Sequence, residues 1–134
     1  MSIKRLTKED IRNSTGILNP VGHVVLAFKD DAVTAAASGA LRAAGLADDD
    51  ILAYPADEAL PRLRERVASV SGGAGFGYEI TLMRRYLALA EGGAGWLIVY
   101  APDDAATERI TEVATRFGGL TAVRYHRLAN EDLI

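Results

Sequence analysis

The chain has 134 residues, of which 49% are hydrophobic, and a formal net charge of −3, so it can form one domain with one sizeable core. Its acidic balance argues against a nucleic acid or an anionic lipid surface as partner, because both require a dominant basic field. The absence of cysteine excludes disulfides, thiolate metal sites and cysteine nucleophiles. Because no secretory signal and no apolar segment of about 20 residues is found, we expect a cytoplasmic protein without a membrane partner.

The first 20 residues form a polar arm with little apolar content. Thr7 and Asp10 have the spacing of a capping box and predict a short helix over about Lys8 to Asn13. Residues that break helices follow at 13–16 and 19–20. We therefore expect residues 1–20 to be loosely ordered, or packed on a neighbouring subunit.

Residues 22–54 have the pattern of a strand, a helix and a second strand. The apolar run HVVLAF at 23–28 predicts an interior strand. Asp30 is suited to cap the helix that follows, and Gly45 is suited to end it. The second strand is predicted near Ile51 to Tyr54, after an acidic turn.

Residues 55–94 predict a helical insertion. A first helix starts near Asp57 and Pro61, and a glycine-rich hinge follows at 72–77. A second helix is predicted over Tyr78 to Glu91, and its apolar residues occupy most of its circumference. Such a helix requires burial on two sides.

Residues 95–127 repeat the first unit. Aligning Gly22 with Gly95 places GHVVLAFKDDAVT opposite GWLIVYAPDDAAT. The repeat predicts a strand over Trp96 to Ala101, a helix capped by Asp103 and a last strand over Leu120 to Arg127. Two interleaved β-α-β units predict an α+β fold, the ferredoxin-like plait, with a four-stranded antiparallel sheet and both crossover helices on one face. The helical insertion then lies between the second and third strands.

The segment DDAVTAAASGALRAAG, with the strand before it and the acidic turn and strand after it, resembles the domain of the general stress protein 17M type, also called heat-induced stress protein. The resemblance covers residues 22–54 best and residues 95–127 more weakly. It implies a stress-associated bacterial protein of undefined biochemistry, and it transfers no functional residue to this chain.

The predicted plait also suggests a binding site at one end of the sheet. If the first strand lies parallel to the third, the starts of those strands meet the ends of the other two. Alternation of side chains along each strand then directs a set of polar and aromatic side chains to the face without crossover helices, which we call the open face. The predicted ligand-binding residues are His23, Tyr54, Trp96, Tyr100, Arg124 and His126.

Two interpretations of this open face remain. Either the helix Tyr78 to Glu91 or a second subunit covers it, because large apolar patches are rarely left in water, or a ligand binds between the sheet and its cover. An RNA-binding platform would also use sheet aromatics, but the acidic balance argues against it. Two histidines without a third donor do not make a metal site.

Other motifs indicate structure more than chemistry. The glycine run at 72–77 lacks the strand before it and the Lys and Ser/Thr that a phosphate-binding loop needs. The charges of Arg62, Arg64 and Arg66 are offset locally by Glu58 and Glu65, and this pattern predicts a solvated helix face. The paired aspartates at 30–31 and 103–104 predict helix caps.

The leading functional hypothesis is a non-enzymatic, stress-associated homodimer that binds a protein partner or a small ligand. It assigns no catalytic residue, cofactor or metal. The alternative is a small enzyme whose active site lies on the open face, with His23 or His126 as general base and Arg124 orienting an anionic substrate.

Overall fold

The computed structural model describes residues 3–14, 18–70 and 77–134, which form an α+β fold around a five-stranded antiparallel sheet. The strand order is β2-β3-β1-β4-β5. Apart from Gly77, the predicted glycine-rich hinge lies outside the described residues. The elements are α1 Lys8–Asn13, β1 His23–Phe28, α2 Asp31–Ala43, β2 Ile51–Tyr54, α3 Ala56–Val70, α4 Tyr78–Glu91, β3 Gly95–Tyr100, α5 Asp104–Arg116, β4 Thr121–Tyr125 and β5 Asn130–Asp132.

The two repeat units start their helices with the same hydrogen bonds. Asp30 and Asp103 each accept a bond at 2.9 Å from the backbone N–H three residues later. The hydroxyls of Thr34 and Thr107 donate to the carbonyls of those same aspartates. The two bonds to the aspartate carboxylates satisfy N–H groups that the first turn of a helix leaves without intrahelical partners, so both predicted caps are confirmed.

The paired glycines of the repeat lie where the chain approaches itself closely. A Cβ at Gly95 would lie 2.4 Å from Thr34 Oγ1, at the start of α2. A Cβ at Gly22 would lie 2.3 Å from Cγ2 of Ile3, in the N-terminal arm. Both distances are shorter than side chains tolerate, so each contact requires glycine.

The first and third strands are antiparallel, and the prediction that they are parallel is wrong. His23 lies opposite Tyr100, and Trp96 lies opposite Ala27. The physical reason is the place of β3 in the sheet. It lies between β1 and the edge strand β2, and it is antiparallel to both. The start of β1 therefore meets the end of β3, about 16 Å from the start of β3, at about 3.3 Å per residue.

The sheet has a fifth strand that the sequence did not predict. The strand β5 consists of Asn130, Glu131 and Asp132, which are polar and largely exposed, and it pairs with β4 at the sheet edge. Short polar edge strands lack the apolar alternation from which strands are predicted.

Helices cover both faces of the sheet. The crossover helices α2 and α5 cover one face, as predicted, and α3 and α4 cover the other. The first core includes Val24, Leu26, Phe28, Leu41, Leu97, Ile110 and Val113. The second includes Val25, Leu63, Leu82, Met83, Tyr86, Trp96 and Ile98.

The helix α4 is buried on two sides within one chain. Leu82, Met83 and Tyr86 belong to the same core as the sheet residues Val25 and Ile98, and α4 also packs against α3. The prediction that this helix covers the open face is confirmed. Its apolar circumference therefore does not require a second subunit, and the homodimer stays a prediction.

The described part of the N-terminal arm packs on its own chain, which differs from the loosely ordered arm that the sequence predicted. Ile11 and Leu18 are buried in the core beneath α3 and α4, and Leu6 packs against it. The Tyr100 hydroxyl donates to the Ile3 carbonyl at 2.7 Å. These contacts join the arm to the sheet.

Candidate functional site

A cavity of about 570 Å³ lies between the arm, α3 and the sheet, and we call it the arm cavity. Its volume lies within the range of about 300 to 1,000 Å³ that is typical of small-molecule sites. Its lining residues are Ile11, Arg12, Ser14, Leu18, Val25, Tyr54, Ala59, Arg62, Leu63, Glu65, Arg66, Ser69, Tyr86, Trp96 and Ile98.

Tyr54 and Trp96 form part of the sheet side of the cavity. They are register partners on neighbouring strands, and their exposed fractions are only 5% and 4%. The ring of Tyr86, from α4, meets the Trp96 ring edge-on with centroids 5.1 Å apart. This packing fixes the position of the indole, because such edge contacts are favourable.

The Tyr54 hydroxyl and the Trp96 indole N–H are buried and have no hydrogen-bond partner among the described residues. Burial raises the pKa of Tyr54 to about 12, so its hydroxyl keeps its proton at neutral pH. An indole N–H can only donate. Two donors beside one cavity therefore lack an acceptor, and each such buried group costs about 1 to 3 kcal/mol.

Three arginines lie around the same cavity. Arg66 is half-buried and donates to the Ile11 carbonyl at 2.8 Å and to the Ser14 hydroxyl at 2.9 Å. Burial lowers the pKa of Arg66, and repulsion from Arg62 lowers it further. Arg12 is exposed and has no ion pair among the described residues. The rim of the cavity is therefore basic, although the chain as a whole is acidic.

His23 has a structural role at the start of β1. It is 1% exposed; its Nε2 accepts from the Leu6 N–H at 3.1 Å, and its Nδ1 lies 3.1 Å from the Val21 carbonyl. These contacts indicate a neutral ring with its proton on Nδ1. Burial lowers the pKa of His23, while the backbone bond and Asp50 oppose that effect. His23 does not line the arm cavity.

The structure separates the six residues that the sequence predicted to converge. Tyr54 and Trp96 line the arm cavity together. At the opposite end of the strands, Tyr100 contacts the His23 ring with centroids 5.2 Å apart. The predicted convergence of His23, Trp96 and His126 is therefore wrong, because β1 and β3 are antiparallel.

Arg124 and His126 also lie apart from the cavity. The neighbours of Arg124 in β4, Val123 and Tyr125, belong to the core beneath α3 and α4, so Arg124 lies on the other face. There it forms an ion pair with Asp104 at 2.9 Å. His126 follows the end of β4, is exposed, and lies 3.1 Å from a Glu131 oxygen. The prediction that Arg124 lies on the open face is wrong.

Arg62 and Arg66 are the lining residues that the sequence prediction assigned to solvent. Arg62 follows the buried Ala59 by three residues and Arg66 follows the buried Leu63 by three, which places both beside the apolar stripe of α3. Arg64 lies on the other side of the helix and is exposed. This spacing was the sequence signal from which the position of Arg62 and Arg66 beside the cavity could have been predicted.

Within the described ranges, no cluster of histidine and acidic side chains could hold a metal ion. The helices of those same ranges lack the length and apolar character that a membrane crossing requires. Comparison with protein-family models, curated proteins and solved structures found no significant match. The resemblance to the stress-protein domain therefore stays a prediction.

Proposed function

We propose that the protein is a binding protein that holds a small, largely apolar molecule in the arm cavity. The observation that carries this proposal is the pair of buried donors, the Tyr54 hydroxyl and the Trp96 N–H, that lack an acceptor beside a cavity of ligand size. Apolar walls with a few polar groups are typical of ligand pockets. A bound molecule whose acceptor group reached either donor would supply a missing hydrogen bond.

The enzyme hypothesis has less support. A general base must reach the proton that it removes, and neither histidine lines the arm cavity. Both ring nitrogens of His23 lie within hydrogen-bond distance of backbone groups. Binding without chemistry is thus the function that the cavity supports best.

We also propose that the fold is a ferredoxin-like plait extended by β5. The strand order β2-β3-β1-β4 and the two crossover helices on one face support this assignment. A stress-associated role and a homodimer are further proposals. Light scattering after gel filtration tests the homodimer, and a monomer at roughly tens of micromolar protein would contradict it.

The binding proposal can be tested with N-phenyl-1-naphthylamine, an uncharged apolar fluorophore. The chain contains a single tryptophan, and it lines the cavity, so energy transfer from Trp96 reports bound probe, and a substitution in the cavity wall locates the site. We expect saturable binding that the substitution Ala59→Leu weakens by about tenfold, because the added methyl groups occupy cavity volume.

A matched control is Ala36→Leu, the same substitution at an exposed position of α2 on the other face of the sheet. It should leave binding unchanged. Absence of saturable binding to the unsubstituted protein contradicts the proposal. Equal affinity in a folded Ala59→Leu variant does so too, since the probe would then bind elsewhere.

A further inference from the structure

We propose that the ligand of the arm cavity is an amphipathic organic acid whose carboxylate binds Arg12 and Arg62 at the rim. This inference rests on the proposed function, and it adds the chemical class of the ligand. The charges that surround the cavity support this assignment.

The charged lining residues are three arginines and one glutamate, in a protein whose formal net charge is −3. The exception, Glu65, offsets one of these positive charges, so the lining keeps a positive excess. An acidic protein that collects three guanidinium groups at one cavity favours anions there.

The nearby residue Glu58 does not cancel this positive charge. It lies 3.6 Å from Arg62 and also 3.6 Å from Lys8, whose amino group stands 4.5 Å from the Tyr54 ring centroid. Lys8 and Glu58 together add no net charge. The basic excess of the lining therefore remains.

The three arginines differ in their freedom to bind a ligand. Arg66 is engaged by the arm, through the Ile11 carbonyl and the Ser14 hydroxyl, and acts as a fixed charge in the wall. Arg62 has a long contact to Glu58, with its side chain 39% exposed, and can turn toward a ligand. Arg12 has no ion pair in the part of the chain that the structure describes.

A carboxylate suits this arrangement better than a neutral polar group. Guanidinium groups bind carboxylates through two parallel hydrogen bonds, and such charge-assisted bonds are about twice as strong as neutral ones. An anion beside Arg62 and Arg66 would also relieve their mutual repulsion. The apolar part of the acid would then lie against Val25, Leu63 and Ile98.

The test compares naphthalene-2-carboxylate with naphthalene-2-carboxamide by isothermal titration calorimetry. The two molecules have nearly the same size and shape and differ in charge. We expect the carboxylate to bind about tenfold more tightly, and this preference to fall as salt is raised. In the variant Arg12→Gln/Arg62→Gln the preference should fall to about twofold, because only the charge of Arg66 remains, while the amide still binds.

The matched control is Arg64→Gln/Arg84→Gln, which removes the same charge from exposed positions outside the cavity lining. It should keep the preference for the carboxylate. Equal binding of acid and amide overturns the inference and leaves the proposed function standing. A preference that is undiminished in Arg12→Gln/Arg62→Gln overturns the assignment to these arginines, and binding of neither molecule overturns both proposals.

Discussion

Replacing Tyr54 with phenylalanine should stabilise the ligand-free protein, which is the opposite of the usual effect of a core substitution. The Tyr54 hydroxyl is buried without a hydrogen-bond partner among the described residues, and the side chain is 5% exposed. Phenylalanine keeps the ring and removes the group that burial penalises. Since an unsatisfied buried polar group costs about 1 to 3 kcal/mol, we expect the free energy of unfolding to rise by about 1 kcal/mol.

The assay is urea denaturation followed by circular dichroism, together with a thermal melt. A gain of about 1 kcal/mol in a chain of this length corresponds to a rise in Tm of about 3 to 5 °C. The matched control is Tyr125→Phe on the same sheet face. The Tyr125 hydroxyl lies 2.8 Å from the Tyr86 hydroxyl, so its removal breaks a buried hydrogen bond and should destabilise the protein by about 1 kcal/mol.

The outcome that refutes the reasoning is a Tyr54→Phe variant that is destabilised as much as Tyr125→Phe. Such a loss would mean that the Tyr54 hydroxyl has a partner in the free protein. The hydroxyl would then be structural, and the cavity would lose one of the two donors that support ligand binding.

Two further predictions concern the framework around the site. Gly95→Ala should destabilise the protein by more than about 1 kcal/mol, because a Cβ would lie 2.4 Å from Thr34 Oγ1. The control Gly39→Ala lies in α2 with nothing within 4 Å of its Cβ, and it should stabilise the protein by about 0.5 to 1 kcal/mol. Denaturation midpoints that rank the two variants in the other order would contradict this prediction. Burial lowers the pKa of His23, so the unfolded chain takes up the proton first. Stability should be complete above about pH 6.5 and decline as the pH falls through the lowered pKa of the folded state. Urea midpoints at about pH 7.5 and about pH 5 measure this decline, which His23→Gln should reduce and the exposed His126→Gln should leave in place.

Local patterns predicted most of the elements. The caps at Asp30 and Asp103 depend on residues three positions apart, and alternation along β1 places Val24 in one core and Val25 in the other. The signal for β5 was missing because its three residues are polar and exposed. Its pairing with β4 depends on the course of the whole chain.

The candidate site was predicted only in part. Tyr54 and Trp96 were both chosen from the sequence, but they were grouped with His23, which lies at the other end of the strands. The arginines of α3 were assigned to solvent because their charge pattern alone does not show that the arm packs beside them. Arg66 is half-buried and donates hydrogen bonds to Ile11 and Ser14, which lie more than 50 positions earlier in the sequence.

The sequence by itself determined the repeat, the caps and the two-sided burial of α4, because these follow from spacings within one helix or strand. The tertiary structure alone decided which strand ends meet, since register and direction between distant strands are set by how the chain returns to the sheet. As a result, Tyr54 lies beside Trp96, and His23 accepts a hydrogen bond from the Leu6 N–H of the arm. The arm cavity exists because the arm, α3 and the sheet meet there, and no local pattern encodes that meeting.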